Sequence, residues 1–204
     1  MIRNIVFDMG MVLMNFDPHR ACMTFARDEQ KAEVLKAAVF GHPDWPKKID
    51  GGLVDDEEYL LEVQQRLETD ELKQMAEGVV LGWWKNGGLT PKPGMADVVK
   101  TLHGQGFHLY ILSNCGFCFR KLQHTIPGIE LFEGCLVSAE EQLRKPDKAI
   151  FRRFCERFEV QAEECFFIDD LPGNAEGAIR SGMQAYCFAD GDVERLQAEL
   201  KKLA

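Results

Sequence analysis

The 204-residue sequence lacks an apolar run of 18 or more residues, and a helix needs about that length to cross a membrane. A signal peptide is not predicted either, because Asp8 interrupts the apolar run near the N-terminus. Positive charge is also scarce: 24 lysines and arginines stand against 33 acidic residues, for a net charge of −9. Nucleic acids attract basic surfaces. These absences predict a cytoplasmic protein that binds neither membranes nor nucleic acids.

No disulfide framework is indicated, because the seven cysteines are odd in number and irregularly spaced. Without a signal peptide, this pattern favours reduced thiols. Cys115 and Cys118 form a C-x-x-C pair, but no second pair accompanies it, so we interpret both as packing residues rather than as a zinc or redox site. The composition, 46% apolar and 28% charged, is that of a globular protein and does not indicate an oligomeric state.

Five short apolar runs have the length and the boundaries of buried strands. They lie at residues 2–7, 107–113, 135–138, 165–169 and 185–189, with helix-like stretches at 94–106, 119–125, 148–158 and 174–183. Strands that alternate with helices predict right-handed crossovers and a parallel sheet. The runs show no apolar–polar alternation, which indicates helices on both faces of the sheet. The predicted fold class is therefore α/β.

Residues 18–88 interrupt this alternation, because their apolar residues recur at helical spacing and no strand-like run is present. Asp55 and Glu58 have the spacing of a capping box at the start of a helix. Residues 81–94 are rich in Gly and Pro and are expected to be a return linker. We therefore predict a helical cap inserted after the first strand. The predicted domains are a core at residues 1–15 and 90–204 and a cap at residues 16–89.

Polar residues follow four predicted strands at the point where each strand ends. In an open parallel sheet, ligands bind at these carboxyl ends. A single Asp, Ser or Asn there is usually a turn or cap residue, but four such ends in succession indicate a site. The residues are Asp8 and Gly10 after the first strand, Ser113 and Asn114 after the second, Lys145 after the third, and Asp169 and Asp170 after the fourth.

This set of side chains suits phosphoryl transfer. Asp8 and Asp169 supply the hard oxygen ligands that Mg²⁺ prefers. Ser113 and Lys145 can hold the oxygens of a phosphoryl group, and Asn114 can orient the site. One carboxylate is then free to attack phosphorus and form an aspartyl phosphate. Catalysis of such a step depends mostly on positioning and on charge stabilisation.

The segments FDMGMVL, ILSN, RKPD and FIDDLPGN, in this order, resemble the four motifs of the haloacid dehalogenase-like hydrolases. The resemblance extends from about residue 3 to residue 190 and implies a Rossmann-like core with a helical cap. It also implies roles for single residues. These are Asp8 as nucleophile, Ser113, Asn114 and Lys145 as phosphate ligands, Asp8, Asp169 and the Gly10 carbonyl as Mg²⁺ ligands, and Asp170 and Asn174 as supporting residues.

One position departs from the family pattern. The family's phosphatases usually carry a second Asp two residues after the nucleophile, as general acid and base, but Gly10 stands there. The first motif and the segment IDGGLVDDEEY resemble the glucose-1-phosphate phosphatase subgroup, which also lacks this Asp. General acid–base catalysis contributes roughly 10²–10⁴-fold, so we expect a substrate with an undemanding leaving group. Alternatively, Asp17, His19 or a group of the cap supplies the proton.

The sequence thus predicts a Mg²⁺-dependent phosphoric monoester hydrolase that acts on a small phosphorylated metabolite, with a sugar phosphate favoured. Two alternatives remain open. A 2-haloacid dehalogenase uses the same lone Asp without a metal, although Asp169 beside Asp170 favours a metal site. A non-catalytic phospho-ligand-binding module would retain the fold but not the activity. Arg20 is a candidate substrate contact, whereas Asp17 and Pro18 are typical of a helix start.

Overall fold

The computed structural model describes residues 1–85 and 87–203. The strands are β1 (Asn4–Phe7), β2 (Met14–Phe16), β3 (Leu89–Pro91), β4 (His108–Ser113), β5 (Gly134–Val137), β6 (Cys165–Asp169) and β7 (Gln184–Cys187). The α-helices are α1 (Pro18–Ala26), α2 (Glu29–Val39), α3 (Asp56–Gln65), α4 (Asp70–Gly82), α5 (Met95–Gly104), α6 (Phe119–Leu122), α7 (Ser138–Glu141), α8 (Lys148–Phe158), α9 (Pro172–Arg180) and α10 (Val193–Leu200). A π-helical turn spans Trp45–Ile49. None of the helices in this described part is long and apolar enough to cross a bilayer.

The main sheet has β1 at its centre. β1 pairs in parallel with β4 on one side and with β6 on the other, and the strand order is β5-β4-β1-β6-β7. The outer strands β5 and β7 are also parallel to their neighbours. All five carboxyl ends therefore lie along one edge of the sheet. The predicted α/β fold with a parallel sheet is confirmed.

Apolar side chains cover both faces of this sheet. Ile5 and Phe7 belong to one hydrophobic cluster, together with residues of α5 and α10. Val6 belongs to a second cluster, together with residues of α8 and α9. Successive residues of a strand face opposite sides, so a strand covered on both sides is apolar throughout. This is why β1, in which all four residues are buried, shows no polar alternation.

The segment between β2 and β3 is helical and contains a hydrophobic cluster of its own. Helices α2, α3 and α4 contribute Leu35, Val63 and Val79 to it. The Tyr59 hydroxyl lies among these residues and donates to the Val39 carbonyl at 2.7 Å, which satisfies a polar group that burial would otherwise penalise. The helical spacing in this part of the sequence corresponds to the α-helices α1 to α4. The division of the chain into a core and a cap at residues 16–89 stays a prediction.

The linker expected at residues 81–94 has more regular structure than its glycines and prolines suggest. α4 continues to Gly82, and β3 pairs antiparallel with β2, with Met14 opposite Pro91. A strand of three residues is too short for its hydrophobic pattern to be recognised in the sequence. This small sheet joins the two ends of the helical segment.

The capping box that begins α3 provides a test of the helical segment. The Asp55 carboxylate accepts from the backbone N–H groups of Glu57 and Glu58, and the Glu58 side chain accepts from the Asp55 N–H. Asp55→Ala should lower the free energy of unfolding by about 1 kcal/mol. Urea unfolding would measure this loss, with Glu57→Gln, a change at an exposed neighbour, as the control. Equal stability of the two variants would contradict the assigned cap.

Candidate active site

Three side chains of the predicted site stand at the carboxyl ends of the central strands. Asp8 directly follows β1, and Ser113 and Asp169 are the last residues of β4 and β6. Phe7 pairs with Ile168, and the Asp8 N–H donates to the Ile168 carbonyl at 2.9 Å. This register places Asp8 and Asp169 side by side, as expected of adjacent parallel strands. All three side chains are buried.

Lys145 lies between the two carboxylates. Its Nζ is 2.9 Å from Asp8 Oδ1 and 2.7 Å from Asp169 Oδ2. Burial acts to lower the pKa of Lys145, but the two carboxylates outweigh it and raise the pKa above its ordinary value. Burial also raises the pKa of Asp8, to about 7, although Lys145 opposes this change. The arrangement thus stabilises a buried ammonium group beside two acids.

Asn114 fixes the backbone that carries Lys145. Its Nδ2 donates to the Lys145 carbonyl at 3.0 Å, and its Oδ1 accepts from the Lys145 N–H at 2.9 Å. This paired contact joins the end of β4 to the loop before α8. The structure therefore gives Asn114 an orienting contact, while its predicted role as a phosphate ligand stays a prediction. Ser113, the preceding residue, lines the pocket beside Asp8.

Asn174 and the turn after β6 hold Asp169. Asn174 Nδ2 lies 2.9 Å from Asp169 Oδ1 and 3.1 Å from Oδ2, and the Leu171 N–H donates to Oδ1 at 2.9 Å. These hydrogen bonds hold the Asp169 carboxylate in one orientation. The following residue is Asp170, and its pKa is raised by burial and, to a smaller extent, by the charge of Asp169. Asn174 thus orients an acid of the site, which is consistent with a supporting role.

The donor chemistry of the site fits a Mg²⁺ ion. Asp8, Asp169 and Asp170 each offer a carboxylate oxygen, and these oxygens lie within 4.8 Å of one another. Such hard oxygen donors are those that Mg²⁺ prefers. Three acids compete for the single positive charge of Lys145, so a divalent cation would relieve their repulsion. Gly10 lines a pocket beside Asp8, and its carbonyl remains the third predicted ligand, after Asp8 and Asp169.

A pocket of about 160 Å³ opens beside Asp8. Its floor comes from the strand ends and its roof from the helical segment and the small sheet. The lining residues are Asp8, Met9, Gly10, Ser113, Asn114, Cys115 and Gly116 on one side and Phe16, Trp45, Asp50, Trp83 and Leu89 on the other. The Phe16 and Trp83 ring centroids are 5.0 Å apart, and those of Trp45 and Trp83 are 6.1 Å apart. The roof is thus mainly aromatic, with one acid, Asp50.

No motif in the sequence identifies the residues of this roof as site residues. Trp45 and Trp83 have the pattern of core residues, and they do pack in the core as well as line the pocket. Asp50 follows the Trp45–Ile49 turn. It belongs to the segment IDGGLVDDEEY, which resembles a subgroup of phosphatases, but no spacing rule identifies Asp50 as a site residue. Pockets built from scattered side chains leave no motif in the sequence.

Three residues considered at the sequence level lie elsewhere. Asp17 caps α1 by accepting from the Arg20 N–H at 2.9 Å, as the helix-start pattern predicts. The His19 ring lies 3.0 Å from a Glu33 carboxylate oxygen. The Arg20 guanidinium lies against Gly87: a β-carbon added to Gly87 would be 2.6 Å from Arg20 Nε. None of the three lines the pocket, so the structure does not bring Arg20 to Asp8, and its predicted substrate contact stays a prediction.

The C-x-x-C pair is present as two free, buried thiols. The pKa of Cys115 is raised well above its ordinary value, mainly by the contact with the Cys118 thiol and secondly by burial. A thiol with a raised pKa is a poor nucleophile and a poor metal ligand. This environment agrees with the interpretation of both cysteines as packing residues.

Comparison with known proteins identifies relatives of this arrangement. A family model described as haloacid dehalogenase-like hydrolase matches residues 2–182. The sesquiterpene phosphatase astK of Aspergillus oryzae is 30% identical over 105 residues, which are 51% of this chain and 54% of that protein. The chloroplastic flavin mononucleotide hydrolase 1 of Arabidopsis thaliana is 26% identical over 99 residues, which are 48% of this chain and 40% of that protein. The matched region thus spans about half the length of these curated relatives.

A solved structure shows the same fold over nearly the whole chain. It is a haloacid dehalogenase family enzyme from Bacteroides thetaiotaomicron, in complex with magnesium and inorganic phosphate. The TM-score is 0.68 and the identity 23%, over 91% of this chain and 93% of that one. This likeness supports the arrangement of strands and helices described above.

The buried Lys145 provides a test of the site's electrostatics. Lys145→Ala should lower the free energy of unfolding of the metal-free protein by about 3 kcal/mol, because it leaves two buried carboxylates without their cation. Chemical denaturation would measure this loss. Lys148→Ala, at an exposed lysine of α8, is the matched control and should change stability by less than about 0.5 kcal/mol. Similar losses for both variants would contradict the ion cluster.

Proposed function

The chain belongs to the haloacid dehalogenase-like hydrolases, and on that premise we propose that it is a Mg²⁺-dependent phosphatase that uses Asp8 as its nucleophile. The observation that carries this proposal is the position of Asp8. Its carboxylate stands at the end of the central strand, at a pocket, with a buried ammonium group at 2.9 Å and two further acids within reach of a shared cation. Structural ion pairs rarely combine these features at a cavity.

The hydrogen bonds of Asp8 favour attack by one of its oxygens. Oδ1 accepts from the Met9 N–H at 2.7 Å and lies 2.9 Å from Lys145 Nζ. Within residues 1–85 and 87–203, no hydrogen bond engages Oδ2. The free oxygen can therefore attack phosphorus while the carboxylate is held in place. Lys145 favours the ionised, nucleophilic form of Asp8.

The proposed phosphate position lies between Asp8 and Ser113, which both line the pocket floor. The Ser113 hydroxyl would donate to a phosphate oxygen, and Lys145 would offset the negative charge that gathers there. A Mg²⁺ ion held by Asp8, Asp169, Asp170 and the Gly10 carbonyl would supply further positive charge to the phosphoryl oxygens. Because this charge is in place before reaction, it stabilises the transition state without reorganisation.

The size and walls of the pocket support a small phosphate monoester, and we propose a sugar phosphate. A volume of about 160 Å³ leaves room for a small leaving group. The aromatic rings of Phe16, Trp45 and Trp83 offer apolar faces to the C–H groups of a sugar. The named relatives act on other phosphates, so prenyl and flavin phosphates belong in the same substrate screen.

Removal of the nucleophile tests the proposed mechanism. Asp8→Asn should lower kcat by at least about 10⁴-fold, because an amide oxygen is a poor nucleophile. Phosphate release from 4-nitrophenyl phosphate and from sugar phosphates would measure this effect. Asp97→Asn, at an exposed acid of α5, controls for the loss of one charge. Near wild-type turnover by Asp8→Asn would exclude an aspartyl-phosphate pathway.

Removal of the metal provides a second test. Chelation should abolish phosphate release, and Mg²⁺ should restore it, because the three acids otherwise share only the single positive charge of Lys145. Titration calorimetry of the metal-free protein with Mg²⁺ gives a readout that is independent of turnover. The same preparations should be assayed for halide release from a 2-haloacid. Halide release in the presence of chelator, without phosphatase activity, would support the dehalogenase alternative instead.

A further inference from the structure

The roof of the pocket carries an acid that the mechanism above does not use. Asp8 and Asp50 are the two carboxylates among the residues that line this pocket, one on its floor and one on its roof. In the described part of the chain, the Asp50 carboxylate takes part in no hydrogen bond or ion pair. Asp50 is half-buried, so water or a ligand in the pocket can reach it. An unpaired acid at a reactive pocket is a candidate for proton transfer.

The backbone of Asp50 is firmly attached to the core. Its carbonyl accepts from the Ser138 hydroxyl, whose oxygen accepts in turn from the Cys115 N–H at 3.0 Å. The next residues also approach the core closely. A β-carbon on Gly52, which has a φ of +65°, would lie 2.1 Å from the Ala139 carbonyl oxygen. Only glycine fits such a position. These contacts hold Asp50 at a defined place above the strand ends.

We propose that Asp50 is the proton donor to the leaving group, supplied by the helical segment in place of an acid at Gly10. This inference rests on the proposed phosphatase function and adds a catalytic residue to it. Asp50 and the nucleophile line the same pocket, Asp50 from the helical segment and Asp8 from the end of β1. A general acid in a phosphatase must reach the leaving oxygen, which lies on the side of phosphorus opposite the attacking atom.

The proton balance of both steps is complete with this residue. In the first step, Asp8 Oδ2 forms a bond to phosphorus, and the bond from phosphorus to the ester oxygen breaks. That oxygen keeps the electron pair and takes the proton of the Asp50 carboxyl group, so an alcohol leaves. In the second step, the Asp50 carboxylate takes a proton from water, whose oxygen attacks the aspartyl phosphate. The bond from phosphorus to Asp8 then breaks, which releases inorganic phosphate and restores both acids.

The charges around Asp50 agree with a donor that is protonated at neutral pH. The pKa of Asp50 is raised to about 8, chiefly by burial and also by the charge of Asp8, whereas Arg144 and Lys145 act in the opposite direction. These three groups are the charged neighbours that act on it. A carboxyl group with a pKa near the working pH can both give and accept a proton, as the two steps require.

The open space at Gly10 allows a rescue experiment. A β-carbon at this position would meet no atom within 4 Å, and its φ lies outside the left-handed region. Gly10→Asp therefore adds a carboxyl group at a residue that lines the same pocket, and its β-carbon displaces no neighbour. If Asp50 donates the proton, an acid at position 10 should compensate for its loss.

The test compares phosphate monoesters whose leaving groups range from 4-nitrophenol to simple alcohols. The wild-type enzyme should show a weak dependence of kcat/KM on the leaving-group pKa. Asp50→Asn should lower kcat/KM for alkyl esters by roughly 10²–10⁴-fold and affect 4-nitrophenyl phosphate far less, because nitrophenolate departs without a proton. Glu57→Gln, at an exposed acid of the same segment, should match the wild type. Gly10→Asp combined with Asp50→Asn should recover the alkyl esters.

Each outcome distinguishes this inference from the proposed function. Equal loss for all leaving groups in Asp50→Asn, or a steep leaving-group dependence in the wild type, would overturn the role of Asp50 alone. The wild-type measurement does not depend on how well the variant folds. Absence of any phosphatase activity in the wild type would overturn the proposed function and this inference with it. Rescue by the double variant would support both.

Discussion

The burial of one ammonium group between two carboxylates is the constraint on which the rest of the site depends. Lys145 and Asp169 have no side-chain exposure, and Asp8 has little. Ions in such a place are stable only when every charge has partners, because desolvation costs several kcal/mol per ion. The parallel sheet meets this need by bringing two strand ends together. Asn114 then fixes the loop that carries the lysine.

A second constraint is the close packing of the helical segment on the core. The turn at Ile49 to Gly52 contacts the core through glycines: a β-carbon on Gly116, after β4, would lie 2.6 Å from Ile49 Cγ2, and one on Gly52 would lie 2.1 Å from the backbone carbonyl oxygen of Ala139 in α7. Backbone that approaches backbone so closely leaves little freedom of position. The aromatic residues above the pocket add edge-to-face contacts, such as Phe40 with Trp45 at 4.8 Å. The segment thus contributes a rigid wall to the pocket rather than a loose cover.

Much of this architecture could be predicted from the sequence, for physical reasons. Short runs rich in apolar residues indicated all five strands of the main sheet, including the edge strand β7, whose Gln184 and Cys187 are exposed, and the polar residues that follow four of these strands indicated the site. The short strands β2 and β3 carry too few residues for a pattern. Asp50 was missed for a different reason: its place above Asp8 depends on how the chain folds back over about 40 residues, and no local spacing encodes this. The pairing of Asn114 with the backbone of Lys145 could not be predicted either, because the two residues meet only in the folded chain.

The central position of β1 has a consequence for how the protein is made. β1 is the first strand in the chain, yet its partners begin at His108 and Cys165. During synthesis this buried strand therefore leaves the ribosome long before either neighbour exists, and the helical segment emerges next. Pairing across such sequence distances carries a large loop-closure cost and folds slowly. Until Asp169 has been translated, Asp8 has only part of its environment, so the reactive centre assembles late and as a unit.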